Sequence, residues 1–383
     1  MSTSLVPAPA FRVDSADLEH GARVLDALAP IGGVEEPTGV RIGNTPEDDG
    51  VLFVADVACG GRVWMACPSA TTSVGGSMGL EEFREAVAAL PPWSCAVDVT
   101  TYPELSMLAV TDPLGQTPPQ GLPTWRYGSA SPKVAATMTR SAFAAAARTA
   151  LSVASDASDA HVRVSVADGV AEFEAWGRGR HAHGGAPVRE RQSTFTARIP
   201  AATLAGFLEV AGDHPVSLGQ LETDEFSCWI ECGPLTLVPV YVSAQLWVEA
   251  ARAKEPTEIR PRIARRISTD RVPMIQTVRH IVQADADATV SLSSDRRGSV
   301  EVQRGPVPWS VLVLPASVDL GEVERIEIEW RADRLLWALE QVADKRVSLL
   351  IDDESEVTLV TASGSTPEDL TASWFVVEYD RIS

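Results

Sequence analysis

ERIEIEWRADRLLWALEQVADKRVSLLID, residues 324–352, reads as a short strand, a helix with an apolar stripe, a charged turn and a second strand. The same order returns twice upstream, in STFTARIPAATLAGFLEVAGDHPVSLGQL (193–221) and TTSVGGSMGLEEFREAVAALPPWSCAVDV (71–99). Phe83, Phe207 and Leu336 then hold equivalent places, 124 and 129 residues apart. A second helix is expected ahead of each copy, in FRVDSADLEHGARVLDAL (11–28), TMTRSAFAAAARTALSVAS (137–155) and RISTDRVPMIQTVRHIVQA (266–284). Their leading apolar residues Phe11, Met138 and Ile267 are spaced by 127 and 129. A period this long marks a repeated domain rather than a solenoid unit. The expectation is three tandem domains at 1–125, 126–252 and 253–383, each with two helices packed on β-sheet.

Strand signals between the helices are short, β-branched and bounded by turns: VLFVADVA, GRVWMACP, HVRVSVADG, VAEFEAWG, VEVQRG, SVLVLPA, VSLLIDD and VTLVTA. Strands outnumber helices and both helices of a repeat can cover one sheet, which is α+β architecture. Pro- and Gly-rich Thr111–Lys133 and charged Ala251–Arg266 read as linkers. A chain of 383 residues is long enough for two to four cores. No apolar run reaches a membrane span, and no basic start with an apolar stretch marks a secretory signal, so the cytoplasm is expected. The five cysteines are odd in number and sit in apolar strands, the pattern of buried thiols.

The net charge of −20 argues against indiscriminate nucleic-acid binding over the whole surface, so the distribution matters more than the sum. Basic residues gather on the helices of repeats two and three: Arg140, Arg148, Arg271, Arg279 and Arg331. The helices of repeat one are acidic instead, with Asp14, Asp17, Glu19, Asp26, Glu81, Glu82 and Glu85. Solvated helix faces explain this charge pattern as simply as a binding face does.

Catalytic signals fail on context. Gly75–Gly79 has the G-x-S-x-G spacing, but SATTSV before it is not the buried strand a nucleophile elbow requires. His181 and His183 lack an acidic or cysteine partner at ligand spacing, and Gly177–Arg180 lacks the Lys-Ser/Thr ending of a phosphate loop. No catalytic residue, metal site or cofactor is expected.

Together the repeats resemble the bacterial DNA polymerase III β sliding clamp family over essentially the whole chain. The most specific parts are WRADRLLWALEQVADKRVSLLIDDESEVTLVTA (330–362) and the closing WFVVEYDRIS (374–383), and FEAWGRGRHAH (173–183) sits where clamps carry an Ala-Thr-Asp-Gly-His-Arg-Leu-Ala run. The resemblance implies a head-to-tail homodimer, a ring whose helices line a hole for duplex DNA. The five arginines above would face that DNA without reading its sequence. It also implies a pocket for short peptides of polymerases and the clamp loader, carried over to Trp176, Gly179, Arg180, His181, Val376, Val377, Tyr379 and Arg381. Glu378, Tyr379 and Asp380 replace the family's Met-Pro-Met run, Trp176 replaces a small hydroxyl residue, and YVSAQLW (241–247) lacks the usual Gly-Arg-Phe-Pro turn. The ring interface would pair Met107 and Leu108 with Ile281 and Val282. A clamp-fold scaffold that binds proteins without encircling DNA stays open beside this reading.

Overall fold

The structure, a computed structural model, describes residues 11–28, 39–44, 51–57, 61–67, 76–90, 96–102, 107–111, 120–121, 132–154, 160–177, 180–191, 194–221, 224–233, 235–238, 263–295, 298–304, 311–352, 354, 356–365, 369 and 371–381. In the first repeat these form β1 (Phe11–Asp14), α1 (Ser15–Leu28), β2 (Gly39–Asn44), β3 (Val51–Val57) and β4 (Gly61–Cys67). It continues with β5 (Gly76–Gly79), α2 (Leu80–Ala88), β6 (Ala96–Tyr102), β7 (Met107–Thr111) and β8 (Gln120–Gly121). The second holds β9 (Pro132–Met138), α3 (Arg140–Ala154), β10 (His161–Ala167), β11 (Val170–Gly177), β12 (Arg180–Pro187) and β13 (Glu190–Arg191). Then come β14 (Phe195–Pro200), α4 (Ala201–Val210), β15 (Val216–Leu221), β16 (Asp224–Cys232) and β17 (Leu235–Val238). The third holds β18 (Arg265–Asp270), α5 (Arg271–Ala284), β19 (Thr289–Asp295), β20 (Ser299–Arg304) and β21 (Val311–Asp319). It closes with β22 (Arg325–Arg331), α6 (Ala332–Gln341), β23 (Arg346–Asp352), β24 (Val357–Ala362), β25 (Trp374–Glu378) and β26 (Asp380–Arg381).

Two sequence expectations shift. Each segment read as a leading helix opens as a strand, because its first residues pair with the strand that follows the second helix. The three pairings share one register: Arg12 opposite Asp98, Thr137 opposite Ser217, and Ser268 opposite Ser348. The last two pairs are hydroxyl–hydroxyl hydrogen bonds of 3.1 and 2.6 Å. The linker read as Ala251–Arg266 ends inside β18, and that read as Thr111–Lys133 runs into β9.

Repeats two and three are also offset by 131 residues at their helices, not 129. Arg140, the first residue of α3, donates to the Leu208 carbonyl of α4 at 2.6 Å. Arg271, the first residue of α5, donates to the Leu339 carbonyl of α6 at 3.3 Å. Both tethers span 68 residues. The equivalent of buried Phe207 is therefore buried Ala338, while Leu336 is half-buried. Bulk has moved one position over: Gly206–Phe207 in one repeat stands as Trp337–Ala338 in the other.

The chain gathers into two compact units, Met1–Arg140 with Arg189–Ala250, and Ser141–Val188 with Ala251–Ser383. In the first, one sheet runs β1-β6-β7-β8 and another β13-β9-β15-β16-β17-β4-β3-β2-β5. In the second, a sheet runs β10-β11-β12-β25-β24-β23-β18-β21-β20-β19-β22-β26. Every described pairing is antiparallel, so one face can hold a core while the other differs. In β10 that alternation is plain: Val162, Val164 and Val166 are buried between partly exposed neighbours.

Helix α3 earns its place by being small. RSAFAAAARTALSVA is alanine-rich, which favours helix and leaves little side-chain bulk. It lies so close to β12 that a Cβ on Gly184 would stand 2.6 Å from the Ala146 carbonyl oxygen. Phe143 seats the helix on the sheet, edge-on to Phe173 at 5.4 Å, and both rings are fully buried. Burying such a side chain contributes about 1.5–3 kcal/mol.

Candidate functional site

The helices carry one arginine that recurs in all three repeats. The ninth residue of each leading helix is Arg23 in α1, Arg148 in α3 and Arg279 in α5, and all three are exposed. Arg23 escapes a reading by net helix charge, because the acids around it mask a position that only the helix starts reveal. Arg279 donates to Glu340 at 2.8 Å across α5 and α6, with half its side chain in solvent. In repeat one Arg84 of α2 pairs with Asp26 of α1 at 2.6 Å and also with Glu81, so part of that acid is neutralised. Burial, and next the Arg23 charge, hold the His20 imidazole below its ordinary value against the pull of Asp17.

The other three basic positions are committed elsewhere. Arg140 and Arg271 are the helix tethers. Arg331 ends β22 instead of opening α6, and bonds Asp333 at 3.1 Å and Asp287 at 3.4 Å.

The expected peptide pocket does not form one wall. Residues directly opposite across antiparallel strands share a face, and neighbours along a strand do not. Trp176 pairs with His181 and His181 with Val376, so these lie on one face. Arg180 pairs with Val377 and lies on the other. Val376, Val377 and Tyr379 are all buried, and the Tyr379 hydroxyl donates to the Asp352 carbonyl at 3.1 Å. Gly179, the side chain of Arg381 and residues 241–247 lie outside what is described.

On the first face the side chains form an aromatic ladder. Trp176 stacks on His181 at 4.8 Å, His181 meets Trp374 edge-on at 5.2 Å, and Trp374 stacks on His183 at 4.3 Å. Both imidazoles are buried, with Glu174 3.7 Å from His181 Nε2 and Glu172 3.9 Å from His183 Nε2. The sequence hides these carboxylates, because strand pairing rather than spacing brings them to the histidines. Neither His181 nitrogen has a hydrogen-bond partner among the described residues. Burial is the main reason its imidazole sits below the ordinary value; Glu174 opposes this and His183 adds to it. Among the described residues, no group of three or more His, Cys, Asp and Glu is placed to hold a metal ion.

On the opposite face the Arg180 guanidinium lies 5.3 Å from the centre of the Trp337 ring, and Trp337 meets Phe375 edge-on at 5.6 Å. Arg334 of α6 pairs with Glu378 at 3.1 Å, so that carboxylate is neutralised. Asp333 stands 3.9 Å from Arg180.

Two strand junctions complete the picture. β17 pairs with β4 through Leu235–Met65 to Val238–Arg62, and β25 pairs with β12 through Trp374–His183 to Val377–Arg180. Each joins a strand near the end of one repeat to the fourth strand of the repeat before it. The remaining members of this set are β8, which ends its sheet, and β21, paired by β20 along Val311–Pro315 and by β18 along Ala316–Asp319. Val313 of β21 is 55% exposed. Of the expected ring-interface residues, Met107 and Leu108 open β7 beside β8, with side chains outside the description. Ile281 is buried in its own core and Val282 is half-buried.

This order of strands and helices has counterparts among solved structures. A DNA polymerase sliding clamp from Bacillus subtilis matches with a TM-score of 0.72 at 14% identity, covering 98% of this chain and 99% of the other. The chain carries the sliding-clamp fold. The DNA polymerase beta subunit of Streptococcus pyogenes matches this clamp fold with a TM-score of 0.70 at 11% identity, covering 98% of this chain and all of that one. A DNA polymerase sliding clamp from Pseudomonas aeruginosa gives a TM-score of 0.70 at 14%, with the same coverage. Comparison of the sequence with protein-family models and with curated proteins finds no match. The clamp fold is thus present here at 11–14% sequence identity to these structures. No described helix is long and apolar enough to cross a membrane.

Proposed function

We propose that the chain is a DNA sliding clamp: three domains, at 1–125, 126–252 and 253–383, that close with a second copy head to tail around duplex DNA. The observation that carries this reading is the pair of equivalent strand junctions, β4 with β17 and β12 with β25. The third junction of the same kind would take β8 of one copy onto β21 of the next, which is a heterologous contact that closes when two copies complete the circle. Arg23, Arg148 and Arg279 then supply phosphate contacts at the same place in each repeat. Enclosure makes weak contacts sufficient, and a surface of net charge −20 disfavours DNA elsewhere. Such a clamp is no enzyme, needs no cofactor, works in the cytoplasm, and tethers a polymerase after a loader opens the ring.

The test loads the protein onto nicked circular DNA with a clamp loader. Retention should survive washing in salt and be lost when the circle is cut. Arg23→Glu, Arg148→Glu and Arg279→Glu together should abolish loading; unchanged loading would refute the arginine assignment. A scaffold that binds proteins without DNA is favoured by a different observation, the Arg279–Glu340 and Arg331–Asp287 pairs, which already spend basic charge internally. It predicts no retention on any DNA.

A further inference from the structure

The three recurring arginines differ in what they hold. Arg279 donates through one nitrogen to Glu340 Oε1 at 2.8 Å, whereas neither Arg23 nor Arg148 has an ion pair among the described residues. Glu340 stands in the last turn of α6, where the helix dipole disfavours a carboxylate. Helix stability alone therefore gives no reason for an acid there. The residue before it, Leu339, accepts from Arg271, so this turn is fixed against α5 and its acid is held beside Arg279. Both side chains of the pair stay in solvent, 50% exposed for Arg279 and 39% for Glu340. An exposed pair of this kind is weak, and its guanidinium can turn to another oxyanion with little change in hydration. Glu209 occupies the same place in the last turn of α4, 131 residues earlier.

We propose that Glu340 competes with DNA phosphate for Arg279, so that repeat three touches duplex through an arginine that exchanges one anionic oxygen for another. This rests on the reading of the three arginines as phosphate contacts. It makes Arg279 a weaker contact than its counterpart Arg148, and Glu340 the residue that sets the grip of repeat three. The exchange has a signature in salt. An arginine that neutralises a phosphate releases a condensed counterion, and the contact weakens with salt by about 0.9 in log–log slope. When Arg279 leaves Glu340, the freed carboxylate draws a cation in turn, so this contact depends less on salt. A ring must break its contacts to advance along DNA, so the same difference governs how fast it slides.

The test loads fluorescently labelled full-length protein onto nicked circular DNA and tracks its diffusion along the duplex at several NaCl concentrations. Glu340→Gln is expected to slow diffusion several-fold at low salt and to steepen its salt dependence, because Arg279 then holds phosphate without a rival. Adding Arg279→Gln should cancel that change, which ties it to this pair. Glu209→Gln makes the same charge change in the equivalent turn of repeat two. An equal slowing from it would mean that net charge, not competition, controls sliding, and would overturn the proposal. Diffusion that quickens in Arg148→Gln but ignores Glu340→Gln would also overturn it, and would leave the clamp reading standing. A lower melting temperature in Glu340→Gln with the parent's salt dependence would make the pair a structural one and refute the proposal. Failure of the parent and every variant to stay on the circle would remove the clamp reading and this proposal with it.

Discussion

Repeats two and three build the same hairpin and leave its outer strand in different company. Gly169 and Gly298 both sit at φ +81, where a side chain is strained, and their carbonyls accept from Val188 and Ala316 at 2.9 Å each. Ser165 bonds Glu172 in one hairpin and Ser293 bonds Glu301 in the other, at 3.2 and 3.3 Å. Yet β12 carries β25 along Arg180–His183, while the matching Val311–Leu314 of β21 pair only with β20 among the described residues, β18 taking Ala316–Asp319. The difference sets two junctions of one kind, β17 on β4 and β25 on β12, against a matching stretch of β21 with none, the place the proposed ring would fill with β8 of a second copy.

The largest expected effect breaks that comparison at β21. Val313→Lys places a charge on the exposed flank of this strand, the means by which natural edges discourage pairing. Light scattering should show a mass near twice 40.9 kDa for the parent protein, falling to a single 40.9 kDa chain in the variant at micromolar concentration. A parent that is already monomeric would sink the junction argument. A smaller effect tests the helix tethers. Arg140→Ala and Arg271→Ala each remove a charge-assisted bond to a second-helix carbonyl, about 1.5–3 kcal/mol in denaturant unfolding. If the two repeats are equivalent the losses should match, and a large inequality would show that only one tether matters.

Much of this was legible in the sequence, within physical limits. Helix pairs and strands could be read because their apolar periods differ, and VTLVTA occupies Val357–Ala362 as expected. The offset between repeats misled by two residues because a core conserves volume rather than position, so Trp337–Ala338 hides the match to Gly206–Phe207. The candidate pocket was named residue by residue, but Arg180 with His181, and Val376 with Val377, are neighbours in strands and so fall on opposite faces. The carboxylates beside the histidines, the acceptors of Arg140 and Arg271 and the bare flank of β21 all depend on which strand lies beside which. Pairings between residues so far apart leave no local trace.

The smallest effect concerns His181, where a buried imidazole can be tested against its own pH dependence. Its folded-state value lies below the ordinary 6.5, chiefly through burial, with Glu174 working in the opposite sense. Above both values the ring is neutral in folded and unfolded chains and contributes no pH slope. As pH falls below about 6.5, the unfolded chain takes up a proton that the folded chain still refuses, so stability declines until the folded ring also titrates. Melting temperature should therefore drop between pH 7 and 5, and His181→Leu should remove part of that slope while leaving the value at pH 8 nearly unchanged. Tryptophan fluorescence gives the independent reading: Trp176 and Trp374 both touch this ring, and their emission should change as the folded imidazole charges. A His181→Leu slope equal to that of the parent would mean that Glu174, at 3.7 Å, closes on the imidazolium and offsets the cost of burial.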